Sequence, residues 1–370
     1  MPEYRPPASA VANPVLFCRA LMSTRAPALI LLAALAASCG GGSSGPTDPG
    51  GTPTPSAPPG SAVSGFVFYD ENGNGTADPN ETVRLPGVGV AMGGVTTSTV
   101  AGGRFSFSSV PNGTQTAQAS PASLPAYFTP GAPLSVAVPP TGEVPVPAVL
   151  AIGSRSRPNV YLAFGDSITF GDTSSDGSGY RDELRADLRA YWGKADVTND
   201  GVPGTKSNKG ETRVGASLAT QRPAYLLILY GTNDWNDGEC RNEFPCFTIT
   251  SLRSMVLQAR DAGAFPIVGT VPPVNPSYAD RDAEARNDWV GRMNDLVRTM
   301  ARQERAPIAE VHGDFLKQSS LPPLFDDFLH PNDTGYRVIA RAFFDAITKP
   351  LATSGSGRAP AFFFEPPTGS

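Results

Sequence analysis

The sequence predicts an α/β fold, with a mostly parallel sheet covered by helices on both faces, preceded by a small all-β sandwich. After Ser156, short apolar runs of the buried-strand type alternate with amphipathic helical stripes, the pattern of a parallel sheet. Residues 62–150 instead hold short β-rich runs that turn residues separate, without helical periodicity. Glycine and proline, 39 and 38 of 370 residues, concentrate in segments that predict linkers.

The N-terminal segment 1–39 has the pattern of an export signal. Its apolar stretch, residues 26–37, follows a basic residue and is too short to span a membrane. We expect Met22 to be the true start. Small residues lead to Cys39, and a Gly/Ser/Pro-rich tether follows over residues 40–61. The segment resembles a bacterial lipoprotein signal with Cys39 lipidated, which predicts an exported cell-surface or outer-membrane lipoprotein. The alternative is ordinary cleavage and a secreted protein.

The numbers of cysteines and histidines and the net charge limit which metals and partners the chain can bind. Cys240 and Cys246 lie six positions apart, which in an exported protein predicts a small disulfide ring. A zinc site would need more ligands, because the only histidines are His312 and His330. The net charge of −5 and the lack of a basic cluster argue against a nucleic-acid partner.

The β-rich part, residues 62–150, is predicted to be a small sandwich of short strands. The clearest strands are 63–69, 88–91, 104–107 and 134–138.

The α/β part, residues 158–350, alternates buried strands with helices. The predicted strands are 160–164, 195–198, 225–230, 265–271 and 308–311. Apolar residues at helical spacing begin at Tyr180, Trp289 and Tyr336, and they predict core-facing stripes. The tail, residues 351–370, shows no pattern and is predicted to be disordered.

A twelve-residue loop between Asp70 and Glu81 has the spacing of a calcium site. Oxygen-bearing residues alternate with spacers, and Gly75 allows the sharp turn. The ligands would be Asp70, Asn72, Asn74, the Thr76 carbonyl, Asp78 and Glu81. A strand runs directly into the loop, so the flanks do not fit a helix–loop–helix unit, and the domain resembles the calcium-binding B-type repeat of bacterial surface proteins. The alternative is an Asn/Gly-rich turn that binds no ion.

A serine follows the first strand of the α/β part, at the edge of the sheet where ligands bind. Ser167 lies in the stretch GDSIT. A serine hydroxyl needs a base, and His330 in DDFLHP precedes the last helix, with Pro331 at the expected helix start. Asp327, three residues earlier, can fold back onto the imidazole and orient it. Asp166 and Asp326 are weaker candidates for that carboxylate, and His312 is expected to be structural.

Donors for an oxyanion are expected at two later strand ends. Gly204 in NDGVPG can offer an unhindered backbone N–H, and Asn233 in GTND can offer a side-chain amide. The Ser167 N–H would be the third donor.

These four blocks, in this order, resemble the SGNH (GDSL-type) hydrolase family over roughly residues 160–347. The resemblance implies Ser167 as nucleophile, His330 as base, Asp327 as its partner, and Gly204 with Asn233 in the oxyanion hole. It also implies a flavodoxin-like three-layer α/β/α sandwich that cleaves carboxylic esters without a metal or organic cofactor. Pro203 departs from the family pattern, in which a small residue usually precedes the glycine.

The function expected from these observations is a serine esterase acting on short-chain acyl or acetyl esters, with carbohydrate esters among the candidates. The segment after Asn233, with Trp235, Asn236 and the cysteine pair, is either a wall of the site or a surface insertion that a disulfide stabilises. The partners expected are a small-molecule or polysaccharide ester and, through the lipid anchor alone, a membrane. The alternatives are a surface binding or adhesion protein with an idle hydrolase domain, and a lysophospholipase- or thioesterase-like acylhydrolase.

Overall fold

The computed structural model describes residues 59–351. The predicted signal, the lipidation site Cys39, most of the tether and the tail beyond Leu351 lie outside the described residues. The first strand begins at Gly60, so the last residues of the predicted tether already belong to the β-rich part.

The β-rich part consists of two four-stranded sheets. Its strands, in chain order, are β1 (Gly60–Tyr69), β2 (Gly89–Met92), β3 (Val95–Ser98), β4 (Arg104–Pro111), β5 (Gly113–Ala119), β6 (Phe128–Pro130), β7 (Leu134–Val138) and β8 (Val144–Leu150). One sheet has the order β4-β1-β8-β6 and the other β3-β2-β5-β7, and β1 pairs with β8 in parallel. The predicted all-β sandwich is confirmed.

The α/β part is built on one five-stranded parallel sheet. Its strands are β9 (Arg157–Gly165), β10 (Asp196–Gly201), β11 (Pro223–Leu229), β12 (Phe265–Gly269) and β13 (Ile308–Ala309). Their spatial order is β10-β9-β11-β12-β13, and all pairings are parallel. This is the 2-1-3-4-5 order of flavodoxin-like sheets. Every residue of β11 and β12 is buried, as continuous apolar runs predict for strands covered on both faces.

Helices connect these strands. They are α1 (Ser167–Phe170), α2 (Arg181–Trp192), α3 (Ser207–Gln221), α4 (Gly238–Asn242), α5 (Thr248–Asp261), α6 (Ala283–Gln303), α7 (Val311–Leu316) and α8 (Asp333–Thr348). The stripes predicted from Tyr180, Trp289 and Tyr336 are buried. Alternate residues of β9 and β11 face two separate core clusters, one with α2 and α8 and the other with α3, α5 and α6, so the predicted three-layer α/β/α fold is confirmed. Within residues 59–351, no helix is both long enough and apolar enough to cross a membrane.

The β sheets pack against the amino-terminal side of the parallel sheet. Tyr127 stacks on Phe265, the first residue of β12, with ring centroids 4.3 Å apart, and its hydroxyl donates to the Pro266 carbonyl at 2.7 Å. The Glu71 carboxylate accepts a hydrogen bond from Lys194 at 2.9 Å. Because ligands bind at the carboxyl ends of parallel strands, this packing leaves the opposite edge of the sheet free for a site.

Candidate active site

Ser167 lies at the carboxyl end of β9, in a tight turn from strand to helix. The preceding Asp166 caps helix α1, because its Oδ1 accepts the Ile168 N–H at 3.0 Å. Gly165 is needed at the end of the strand, since a Cβ there would lie 2.2 Å from Thr169 Oγ1. The side chain of Ser167 is consequently held at the sheet edge, with 7% of the residue exposed.

His330 reaches Ser167 from the loop before helix α8. Its Nε2 lies 2.9 Å from Ser167 Oγ, and its Nδ1 lies 2.8 Å from Asp327 Oδ2. Asp327 Oδ1 accepts two backbone N–H groups, from Leu329 at 2.7 Å and from His330 at 2.6 Å. Burial alone would raise the pKa of Asp327, but the hydrogen bonds from His330 and Leu329 outweigh it and hold that pKa below its ordinary value. The geometry fits a serine hydroxyl donating to a histidine that donates in turn to an ionised carboxylate.

The loop that carries His330 ends differently from the prediction. Pro331 was expected at the helix start, but α8 begins at Asp333 and Asn332 is its N-cap, with Oδ1 accepting the Thr334 N–H at 3.0 Å. An Asn cap satisfies the unpaired N–H groups of the first turn, whereas Pro331 lies one position outside the helix. His330 still lies in the strand-to-helix loop.

Gly204 lies on the exposed loop after β10. Its φ of 74° is in the left-handed region, and nothing lies within 4 Å of the position a Cβ would take. The backbone conformation, rather than space, therefore favours glycine at this position. Within residues 59–351 its N–H has no acceptor, so it is available to a ligand.

Asn233 lies at the carboxyl end of β11, with 8% of the residue exposed. Its Nδ2 donates to Asp166 Oδ2 at 3.3 Å and to the Thr205 carbonyl at 3.1 Å. An oxyanion that used this amide would compete with one of these two acceptors. The loop is fixed by Asp234, whose carboxylate accepts the Ser207 hydroxyl at 2.6 Å and the Thr248 hydroxyl at 2.7 Å.

Asp166 adds a second carboxyl group to the site, in a different role from Asp327. The residue is 1% exposed, and burial raises its pKa to about 7, with the Asp234 charge adding to the shift. The Ile168 N–H and the His330 ring act in the opposite direction. Asp166 binds Ile168 and Asn233 rather than the His330 imidazole, so it supports the turn and the amide.

The raised pKa of Asp166 predicts a pH-dependent stability. The pKa of the unfolded carboxyl is the ordinary 3.8, while that of the folded one is about 7, so the folded state binds more protons between these pH values. The free energy of unfolding therefore falls as pH rises through this window. The Asp166→Asn variant should lose this fall, worth a few kcal/mol at about 1.4 kcal/mol per pKa unit. Urea unfolding at pH 5 and pH 8 measures it. The exposed Asp326→Asn is the control, and an unchanged pH dependence in Asp166→Asn would contradict the assignment.

The remaining histidine and acidic candidate lie apart from this network. His312 lies on α7, where its backbone N–H donates to Thr270 Oγ1 at 2.9 Å. It lines a surface cavity of about 430 Å³ with Asp295 and Leu316, and burial lowers its pKa. Asp326 is exposed, and its N–H donates to the His330 carbonyl at 3.0 Å. Neither side chain has a hydrogen bond to Ser167 or to the His330 ring in the described part of the chain.

Two residues that support the site have no signal in the sequence. Asn275 donates from its backbone N–H to the Phe328 carbonyl at 3.0 Å and from Nδ2 to the Asp327 carbonyl at 3.4 Å. Arg286, on α6, donates to the Thr232 carbonyl next to Asn233. Asn275 lies in the segment that follows β12 and Arg286 lies on the next long helix, so both fall between the third and fourth sequence blocks. An isolated polar residue on an amphipathic helix gives no hint of such a contact.

The segment after Asn233 packs onto helix α6. Cys240 and Cys246 are joined by a disulfide with a Cα–Cα distance of 4.9 Å. The Cys240 carbonyl accepts the Trp289 indole N–H at 3.0 Å, and Trp235 meets the same indole edge-on at 6.1 Å. The segment is therefore anchored to the body of the α/β part directly beside Asn233.

The Asp70–Glu81 loop folds around its own acidic side chains. Asp70 accepts the N–H groups of Gly73, Asn74 and Gly75, at 2.7, 3.1 and 2.8 Å. Glu81 accepts the N–H groups of Glu71 and Asp78, at 2.7 and 3.1 Å. Asp70 and Glu81 are 3% and 1% exposed, and neither has a cationic side chain as an ion-pair partner in the described chain. No three acidic, cysteine or histidine side chains converge on a metal-sized space within residues 59–351.

Comparison with known proteins identifies the family of the α/β part. Residues 163–338 match the GDSL-like Lipase/Acylhydrolase family. The predicted resemblance of this segment to GDSL-type hydrolases is confirmed. The match spans Ser167, Gly204, Asn233, Asp327 and His330, and the expected enzyme class, a carboxylic ester hydrolase, is confirmed at the level of the family.

Individual proteins similar to this chain include one curated bacterial protein and several solved structures. An uncharacterized lipoprotein, YqeF of Bacillus subtilis (strain 168), is 25% identical over 177 residues, covering 41% of this chain and 72% of the relative. The acetylxylan esterase Axe2 of Geobacillus stearothermophilus is 22% identical, with a TM-score of 0.44, over 55% of this chain and 100% of its own. The hydrolase LAE5, from the metagenome of Lake Arreo, is 23% identical with a TM-score of 0.42, over 52% and 96% of the two chains.

Proposed function

We propose that this GDSL-type protein is a serine esterase that works through an acyl-enzyme on Ser167. The observation that carries the proposal is the continuous chain of contacts from Ser167 Oγ to His330 Nε2 at 2.9 Å and from His330 Nδ1 to Asp327 Oδ2 at 2.8 Å. A nucleophile, a base and an orienting carboxylate within hydrogen-bond reach are the arrangement that activates a serine.

In the proposed mechanism, His330 takes the proton of Ser167 while Oγ attacks the ester carbonyl. Asp327 stays ionised and stabilises the imidazolium, because the pKa of Asp327 lies below its ordinary value. The N–H groups of Ser167 and Gly204, with the Asn233 amide, stabilise the oxyanion. His330 then gives its proton to the leaving alkoxide. A water molecule, deprotonated by the same histidine, attacks the acyl-enzyme to release the acid and regenerate Ser167.

We propose short acyl esters, including acetyl groups on carbohydrate, as the substrate class. Two apolar side chains border the nucleophile and the Gly204 loop: Phe170, at the end of α1, is 44% exposed, and Val202 is 39% exposed. These are two small apolar surfaces. A short acyl group needs no more apolar cover than this, whereas a long acyl chain would leave most of its surface in water.

A chain-length series tests the substrate proposal. The purified chain would be given p-nitrophenyl esters from acetate to laurate and an acetylated oligosaccharide, with Ser167→Ala as the blank. We expect the highest kcat/KM for the shortest esters, and release of acetate from the oligosaccharide. A preference for long acyl esters would instead support the lysophospholipase- or thioesterase-like alternative. Equal rates with the parent and the blank would support the idle-domain alternative.

We propose separately that the Asp70–Glu81 loop can bind Ca²⁺. The donors are all oxygens, which suits a hard cation, and the buried Asp70 and Glu81 have no ion-pair partner in the described residues. Binding requires these carboxylates to exchange backbone N–H bonds for the ion. Calorimetric titration with Ca²⁺ should give heat in the parent and none in Asp70→Ala. No heat from the parent at millimolar Ca²⁺ would contradict the proposal.

We propose that the chain is exported and anchored through Cys39. The support is the short apolar stretch ending at Cys39 and the similarity to a protein named as a lipoprotein. Metabolic labelling with a fatty acid should mark the parent in a bacterial host and not Cys39→Ala. Labelling that survives this substitution would contradict the anchor.

A further inference from the structure

Arg286 is a buried arginine beside the candidate active site. It lies in the first turn of α6 and is 2% exposed. Within residues 59–351 no carboxylate forms an ion pair with it, and its Nε has no hydrogen-bond partner. A buried charge without a counter-ion is destabilising compared with an apolar side chain of similar size. Packing alone therefore does not explain an arginine at this position.

The contacts of Arg286 span the two loops that carry the active-site residues. Its Nη2 donates to the carbonyl of Thr232, and its Nη1 donates to Asn236 Oδ1 at 3.3 Å. Its guanidinium lies 5.4 Å from the centroid of the Phe328 ring, in the loop that carries His330. One rigid, planar group thus contacts two loops: residues 231–236, here called the oxyanion loop, and residues 325–330, here called the histidine loop.

The contact with Thr232 acts on Asn233 through a shared peptide unit. The Thr232 carbonyl and the Asn233 N–H belong to one planar peptide group, so fixing the oxygen fixes the backbone from which the Asn233 side chain extends. On the other side, Asp166 Oδ2 accepts the Asn233 amide at 3.3 Å. Asn233 is therefore held from the backbone by a cation and from the side chain by a carboxyl group.

The charge of Asp166 also acts on Arg286. Burial lowers the pKa of Arg286 to about 10, and the negative charge of Asp166 opposes that shift.

We propose that Arg286 is a positioning residue, which fixes the Thr232–Asn233 peptide against the histidine loop and affects ester hydrolysis only through Asn233. This role rests on the proposed esterase function. Arg286 itself touches no reacting atom, since it is buried behind the two loops.

The kinetic test is a double-mutant cycle on the full chain. Arg286→Met keeps the volume and removes the charge, and we expect kcat to fall about 10- to 100-fold with little change in KM, the size of effect that a misplaced donor produces. In the Asn233→Ala background the same substitution should have little further effect. Equal losses in the two backgrounds would contradict a role through Asn233. Arg298→Met is the matched control, because Arg298 lies on the same helix and pairs with Glu310 at 2.9 Å, remote from the two loops; its kcat should be unchanged.

A second measurement does not depend on catalysis. Amide hydrogen exchange in the Arg286→Met variant should quicken in residues 231–236 and 325–330 and stay as in the parent elsewhere. Unchanged exchange in both loops would overturn the proposal even if no ester were hydrolysed. Failure of the esterase function would instead show as a parent whose hydrolysis does not depend on Ser167. If Arg286→Met does not fold, Arg286→Lys is the second variant, because it keeps the charge without the planar guanidinium. Parent-like kcat together with parent-like hydrogen exchange in Arg286→Lys would equally overturn the proposal.

Discussion

Replacing Ser167 with alanine is expected to lower kcat for p-nitrophenyl acetate by about 10³- to 10⁶-fold, the range for loss of an activated serine nucleophile. The reason is chemical rather than structural. Without Oγ no acyl-enzyme forms, and His330 is left with no group to deprotonate except water. Whatever activity remains would come from the oxyanion donors and from substrate binding.

The fold should tolerate the Ser167→Ala change, which separates lost chemistry from lost structure. Within residues 59–351 the hydroxyl has a single side-chain hydrogen-bond partner, His330, so the free energy of unfolding should change by no more than about 1 kcal/mol. The control is Ser174→Ala, a nearby serine whose hydroxyl donates to the Gly171 carbonyl at 2.8 Å and has no contact with His330. Retained activity in Ser167→Ala would contradict the nucleophile assignment.

The second large effect is expected for Asp327→Asn, with kcat lowered by about 10⁴-fold, as for the equivalent change in other Ser-His-Asp enzymes. The Asp327 carboxylate accepts the His330 Nδ1–H, and this leaves Nε2 free to take the serine proton. An asparagine amide can donate to Nδ1, which favours the wrong tautomer of the imidazole and removes the charge that stabilises the imidazolium.

The pH dependence of the parent provides a related check. The pKa of Asp327 lies below its ordinary value, so the carboxylate is already ionised above that range and adds no ionisation of its own between pH 5 and 8. Asp327 should therefore contribute no inflection to the kcat/KM profile of the parent over this range. The rate of Asp327→Asn should lie below the parent rate throughout it. The exposed neighbour Asp326→Asn is the control and should keep the parent rate. A full rate in Asp327→Asn would contradict the assignment, and a strong loss in Asp326→Asn would point to the other carboxylate.

The main features of the fold could be predicted because they depend on local patterns. Continuous apolar runs with helical stripes between them indicate a parallel sheet with two covered faces, and the structure has the strand order 2-1-3-4-5. The ends of the strands were predicted less accurately. Strand β12 ends at Gly269 rather than 271, because Val271 leaves the sheet, donating its N–H to Asn294 Oδ1 at 2.7 Å. Such a side-chain partner has no local signature.

The site could be predicted where residues follow strand ends, and not where they act across the fold. Ser167, Gly204 and Asn233 each come directly after a strand, so the sequence places them at one edge of the sheet. The role of Asp166 in holding Asn233 depends on burial and on two loops meeting, which no spacing encodes. Arg286 could not be predicted either. In the sequence it is one of several polar residues on an amphipathic helix, and its contacts with the two loops appear only in the folded structure.

The most direct test of the central claim is to label the nucleophile covalently. The purified chain would be treated with a p-nitrophenyl phosphonate, a serine-directed reagent that mimics the tetrahedral intermediate, and digested for mass spectrometry. We predict one phosphonyl group per chain, located on Ser167, with loss of esterase activity in proportion to labelling. Labelling should be far slower in His330→Ala. Complete inactivation with the label on any other residue, or labelling of Ser167 that leaves hydrolysis intact, would contradict the central claim.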